Sequence, residues 1–124
     1  MPVVTATAAP IFELPHLRVT GHAAPSRGAA ETCVWRIRLE AGTPGTPHSV
    51  DREEIFVALV GRARATVDGK DVDLHPGDTL IIPAGISFAL ANPGDGPFEA
   101  MAVLPVGGRA SLPDAEPFSP PWTL

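Results

Sequence analysis

A chain of 124 residues supports one domain and one core of ordinary size, which excludes a two-domain enzyme. A formal net charge of −5, with only nine Lys and Arg scattered as single residues, excludes the basic patch that nucleic acid requires. A single cysteine excludes an internal disulfide, and no apolar run approaches the ~20 residues of a membrane helix, so no membrane partner is expected.

In chain order, residues 1 to 30 read as an N-terminal arm. Met1 to Pro10 is small and apolar and lacks the positively charged start of a secretory signal, the first Arg being Arg18. With a lone thiol, the expected compartment is the cytoplasm. Ile11 to Leu14 and Leu17 to Val19 are short apolar segments expected as edge strands. Cys33 to Glu40 alternates cleanly, placing Trp35, Ile37 and Leu39 inward and Arg36, Arg38 and Glu40 outward on a half-buried strand. Ala41 to Pro47 carries two Gly and two Pro, so it is a loop that delivers the chain to His48.

Ile55 to Val60 is continuously apolar, which predicts a strand covered on both faces, and Gly61 predicts a bulge or sharp bend before Arg62 to Val67 resumes the alternation. Asp68-Gly69 is a hairpin signal, with Val72 and Leu74 on the return strand. Pro76-Gly77-Asp78 and Pro83-Ala84-Gly85 mark turns on either side of a strand at Thr79 to Ile82. Ile86 to Ala91 and Phe98 to Leu104 read as two more strands. Short strands at this spacing, in a chain with 12 Gly and 15 Pro and no sustained helical period, predict an all-β sandwich or barrel spanning residues 31 to 105. Residues 106 to 124 form a Pro-rich tail whose Phe118 and Trp122 are expected to dock on the barrel or on a partner subunit.

Two spaced patterns stand out. Gly42, His48, Val50, Glu54 and Gly61 are separated by five, one, three and six residues; Gly77, Pro83, Gly85, Phe88 and Asn92 are separated by five, one, two and three. Over roughly residues 33 to 104, these resemble the two motifs of the cupin superfamily, and the chain is similar to a small single-domain cupin. The resemblance implies a double-stranded β-helix, the jelly-roll barrel. It also implies a ligand set of His, His, Glu and His, which reads here as His48, Val50, Glu54 and Phe88. Half of that set has no metal donor, so the metal-binding motif is degenerate.

The glycines and prolines have conformational reasons to recur at bends and turns, and Asn92 fits a strand end where its amide bonds nearby backbone. His48 and Val50 share one face by period two. Glu54 interrupts an apolar run, and an acid facing a barrel interior must be paired, protonated or metal-bound. Glu53 has the opposite parity and is expected in solvent. His48 and Glu54 are the candidate catalytic residues, and they are also the only motif residues that could hold a metal. Two protein ligands are fewer than the three usual at catalytic metal sites. Further donors would have to come from His16, His22 or His75, the last expected in an exposed turn.

Phe88, Val50 and Phe56, with Trp35, are the candidate ligand-contacting residues of an apolar pocket suited to a small hydrophobic or aromatic molecule. The function expected is a small-molecule-binding barrel in which a His/Glu pair supplies recognition or metal-independent acid/base chemistry of isomerase, cyclase or lyase type, with no cofactor. Two alternatives stand beside it. One is a metal-dependent cupin enzyme, a dioxygenase or isomerase, holding a divalent transition metal in a remodelled site. The other is a non-catalytic binding protein. Under each a homodimer is expected, since sheet edges and apolar terminal segments offer material for pairing.

Overall fold

The computed structural model describes residues 3–124, so the first two positions of the predicted N-terminal arm lie outside the described residues. The alternation of apolar and polar side chains is realised as strands throughout, and the described residues contain no α-helix. The order is β1 (Ile11–Leu14), β2 (Leu17–Ala23), β3 (Thr32–Leu39), β4 (Ser49–Val50), β5 (Glu54–Val60), β6 (Ala63–Val67), β7 (Lys70–Leu74), β8 (Thr79–Ile82), β9 (Phe88–Ala91), β10 (Phe98–Pro105) and β11 (Ala110–Ser111). Short 3-10 turns lie at Pro25–Arg27 and Pro121–Thr123.

The strands assemble into an antiparallel jelly-roll barrel. One wall is six-stranded, in the order β1-β2-β3-β10-β5-β8; the other combines the sheet β7-β6-β9 with the pair β11-β4. A bridge between His48 and Phe88 joins β4 to β9 and closes one side. β3 buries Cys33, Trp35, Ile37 and Leu39 on one face, as period two requires. β10 does the same with Phe98, Ala100, Ala102 and Leu104. The core lies where these meet Phe56 and Ala58 of β5, Ala65 of β6 and Phe88 of β9.

Ala102 pairs with Trp35 on one side and Phe56 on the other, so a methyl group separates two large inward rings. The outer face of the same strands carries the Arg36–Glu99 ion pair at 2.9 Å, and Arg38 pairs with Glu40.

Three local expectations differ from the structure. The Leu17 segment extends to Ala23 and lies between β1 and β3, so of the two expected edge strands β1 alone is an edge; Val19 of β2 is fully buried. The run Ile55 to Val60 is not covered on both faces to its end. A register shift opposite Glu99 and Ala100 leaves Leu59 without a partner, and Leu59 and Val60 turn outward. Gly61 follows with φ of 72°, and any Cβ there would collide with the Pro97 carbonyl oxygen, which explains the glycine. The Ile86 strand begins only at Phe88, because Ile86 still belongs to the turn, donating to the Pro83 carbonyl at 3.3 Å.

The tail returns to the barrel. Thr123 is buried, its carbonyl lies 3.5 Å from the Cys33 Sγ, and Arg27 Nη2 donates to the Trp122 carbonyl at 3.2 Å. No helix among the described residues is long and apolar enough to cross a membrane.

Candidate functional site

A cavity of about 290 Å³ opens between the two walls. Its floor and sides come from alternate positions of three strands: Trp35, Ile37 and Leu39 of β3, Glu54 and Phe56 of β5, and Phe88 and Leu90 of β9. The loop Thr43 to Thr46 and His48 form another side, and Pro15 and His16, at the tip of the β1–β2 hairpin, form a rim. Trp122 enters from the C-terminal turn.

His48 is held from two directions. Its Nδ1 lies 2.8 Å from the Thr46 carbonyl oxygen, a contact that requires the proton on Nδ1 and leaves the lone pair of the neutral ring on Nε2. Its ring packs on Phe88 with centroids 4.2 Å apart and planes tilted by 48°.

Glu54 is the unusual group. It is 5% exposed, and Oε1 is buried without a hydrogen-bond partner. Burial in this apolar setting pushes its carboxyl pKa from 4.5 up to about 8. The side chain is therefore a neutral acid at pH 7, able to donate one hydrogen bond and accept others. Glu53, one residue earlier, is exposed, as parity predicts.

Of the predicted site residues, the structure brings His48, Glu54, Phe56, Phe88 and Trp35 to one cavity. Val50 is buried in the core and does not line that cavity. Asn92 is a structural residue: buried, it donates from Nδ2 to the carbonyls of Leu39 at 3.1 Å and Gly96 at 2.8 Å. His75 sits in an exposed turn, 3.6 Å from Asp78, and His22 is away from the cavity.

Ile37 and Leu39, expected inward with Trp35, also line the cavity, and Leu90, which shares the parity of Phe88, joins them without having been named as a site residue. His16 reaches the rim through a two-residue turn in which it adopts a left-handed φ of 65°. Trp122, expected to dock on the barrel or on a partner subunit, docks on the barrel and borders this cavity, which only the path of the tail decides.

A transition metal does not fit this donor set. The described residues contain no group of three or more His, Cys, Asp or Glu placed to hold an ion. At the positions where the resemblance implies two further ligands stand Val50 and Phe88, and the Phe88 ring fills the space beside the His48 imidazole.

A family model described as Cupin domain matches residues 35–104. Among curated proteins, the chain is 42% identical to β-conglycinin β subunit 1 of Glycine max over 68 residues, which cover 49% of this chain and 16% of that protein. The chain spans less than a third of the length of the curated relatives it matches. Among solved structures, the polyketide cyclase RemF from Streptomyces resistomycificus superposes with a TM-score of 0.81 at 14% identity, covering 94% of this chain and 87% of that one. Salicylate 1,2-dioxygenase from Pseudoaminobacter salicylatoxidans, solved with gentisate, gives 0.72 at 16% identity, covering 86% of this chain and 31% of that one. At such identities these two likenesses concern the fold.

Proposed function

The chain belongs to the cupin domain family, and on that footing we propose that its barrel binds a small, largely apolar or aromatic molecule and acts on it by metal-independent acid/base chemistry of isomerase, cyclase or lyase type. The observation that carries this reading is Glu54: a buried carboxyl with an unpartnered oxygen on the wall of an apolar cavity. A structural acid would normally be paired, because an unpartnered buried polar group costs stability.

The two groups have complementary roles. Glu54 is protonated at neutral pH, so it can donate to a carbonyl or hydroxyl oxygen of the ligand. His48, with Nδ1 tied to Thr46, offers Nε2 as the base that takes a proton from carbon beside that carbonyl. Loss of the carbon-bound proton to His48 and transfer of the Glu54 proton to oxygen leave an enol, the shared intermediate of isomerisation, cyclisation and elimination. The fold-level likeness to a polyketide cyclase accords with the cyclase form of this reading.

The apolar lining around the buried Glu54 carboxyl strengthens a hydrogen bond made to it. The same reading includes a homodimer, since β1 and β8 end the large sheet and carry exposed Ile11, Leu14 and Ile81.

The test is elemental analysis of protein purified without chelator, joined to thermal-shift screening against small aromatic ketones and phenols. Binding by metal-free protein that is weakened in both His48→Ala and Glu54→Gln is expected. Stoichiometric transition metal that disappears in His48→Ala would overturn the metal-independent reading. Ligand binding indifferent to both substitutions would leave a barrel without the assigned chemistry.

A further inference from the structure

Three buried side-chain nitrogen or oxygen atoms among the described residues have no hydrogen-bond partner: Arg27 Nε, Glu54 Oε1 and Trp122 Nε1. Two of the three belong to residues on the wall of the same cavity. Buried polar atoms are satisfied in the great majority of cases, so two exceptions bordering one cavity call for a common cause. A bound molecule that supplies both partners is such a cause.

The Trp122 ring is held in place by its surroundings. It packs on Phe12 at 6.1 Å and on Trp35 at 6.4 Å between centroids. The turn that carries it is anchored by Arg27 Nη2 donating to the Trp122 carbonyl and by Ser26 N donating to Leu124 O at 2.8 Å. The tail thus completes the cavity wall, and it contributes a second indole there beside Trp35, a group that can only donate a hydrogen bond.

We propose that Trp122 is a ligand-recognition residue of this cavity, and that the ligand is an aromatic molecule with two oxygen functions, one accepting the Trp122 indole N–H and the other meeting the Glu54 carboxyl. The proposal rests on the reading of the cavity as a small-molecule site and narrows its substrate class. Rings from Trp35, Phe56, Phe88 and Trp122 line the space, which favours a flat conjugated body. The two unpartnered atoms set its polar ends. Both atoms are covered from solvent, so the proposal requires the ligand to displace Trp122 from its packing on Phe12 and Trp35 for its oxygen to meet the indole N–H.

The experiment compares two bicyclic probes by calorimetry: a hydroxytetralone, whose phenol and ketone sit on opposite rings, and tetralin, which has the same skeleton without oxygen. Trp122→Phe keeps an aromatic ring and deletes the N–H. It should weaken hydroxytetralone binding about fivefold to tenfold, the worth of one hydrogen bond, and leave tetralin binding within about twofold.

In nitrogen-15 spectra of the wild-type protein, which has two Trp, the Trp122 indole proton should move downfield with hydroxytetralone and stay in place with tetralin. Equal weakening of both probes, or an unmoved indole proton, would overturn the role of Trp122. If hydroxytetralone binding is nonetheless lost in Glu54→Gln, the small-molecule reading stands without it. Wild-type protein that binds neither probe overturns both.

Discussion

His48 and Phe88 face each other across a β-bridge, His48 N donating to Phe88 O at 2.9 Å and Phe88 N to His48 O at 2.8 Å, with their rings packed at a tilt of 48°. The two sequence motifs therefore meet at this pair. Phe88 positions the imidazole by packing, where a third metal ligand would position it by coordination.

Replacing both apolar residues at the ligand positions should reverse that choice. The double substitution Val50→His and Phe88→His is expected to lower stability without metal, since two imidazoles replace buried apolar side chains. Added zinc, nickel or manganese should then raise the melting temperature of the variant and leave the wild-type unchanged. At about a hundredfold excess over Kd, the gain is about 2.7 kcal/mol. Differential scanning fluorimetry across metals reads it directly, and an equal shift in the wild-type would contradict the donor-set argument.

Glu54 makes stability depend on pH with a definite sign. Its folded pKa of about 8 lies above the ordinary value of 4.5, so the folded chain binds this proton more tightly than the unfolded one. The contribution is fully present below about 4.5 and is lost progressively as pH rises to about 8. The loss is on the order of a few kcal/mol. Urea midpoints between these limits should fall with pH in the wild-type and flatten in Glu54→Gln. Glu54→Leu should be more stable than wild-type at pH 8 by about 1–3 kcal/mol, through removal of an unpartnered buried group.

Gly61 should tolerate no side chain. Its positive φ and the Pro97 carbonyl against its α-carbon act together, so Gly61→Ala is expected to cost at least about 1–3 kcal/mol. Gly69 provides the contrast: it also has a positive φ, of 79°, but nothing stands near its missing Cβ, so Gly69→Ala should cost less. Chemical denaturation of the two variants separates steric from conformational cost.

Light scattering after size exclusion should give twice the 12.9 kDa chain mass. Charged substitution of Ile81, which is 57% exposed on the edge strand β8, should shift the species to monomer if that edge forms the interface. Ile11→Lys on β1 tests the opposite edge, and a wild-type monomer would refute the dimer.

Local chemistry carried most of the fold. Period-two alternation placed Trp35, Ile37, Leu39, Glu54 and Phe56 inward, and Asp68-Gly69 and Pro83-Ala84-Gly85 placed turns, because side-chain direction and turn geometry depend on immediate neighbours. That His48 and Glu54 border one cavity was legible only through motif spacing. What the sequence did not contain was any signal that depends on distant contacts. The unpartnered Leu59 needs the register of β10 opposite β5. The withdrawal of Val50 from the cavity needs the packing of the core. Trp122 meets Trp35 from 87 positions away along the chain, and Pro15 and His16 reach the rim because one hairpin folds over the Thr43 loop. The sequence by itself determined the strands, their inward faces and the motif positions of His48 and Glu54. Tertiary structure decided which rings enclose them, since a cavity wall is assembled from segments whose meeting no short-range preference encodes.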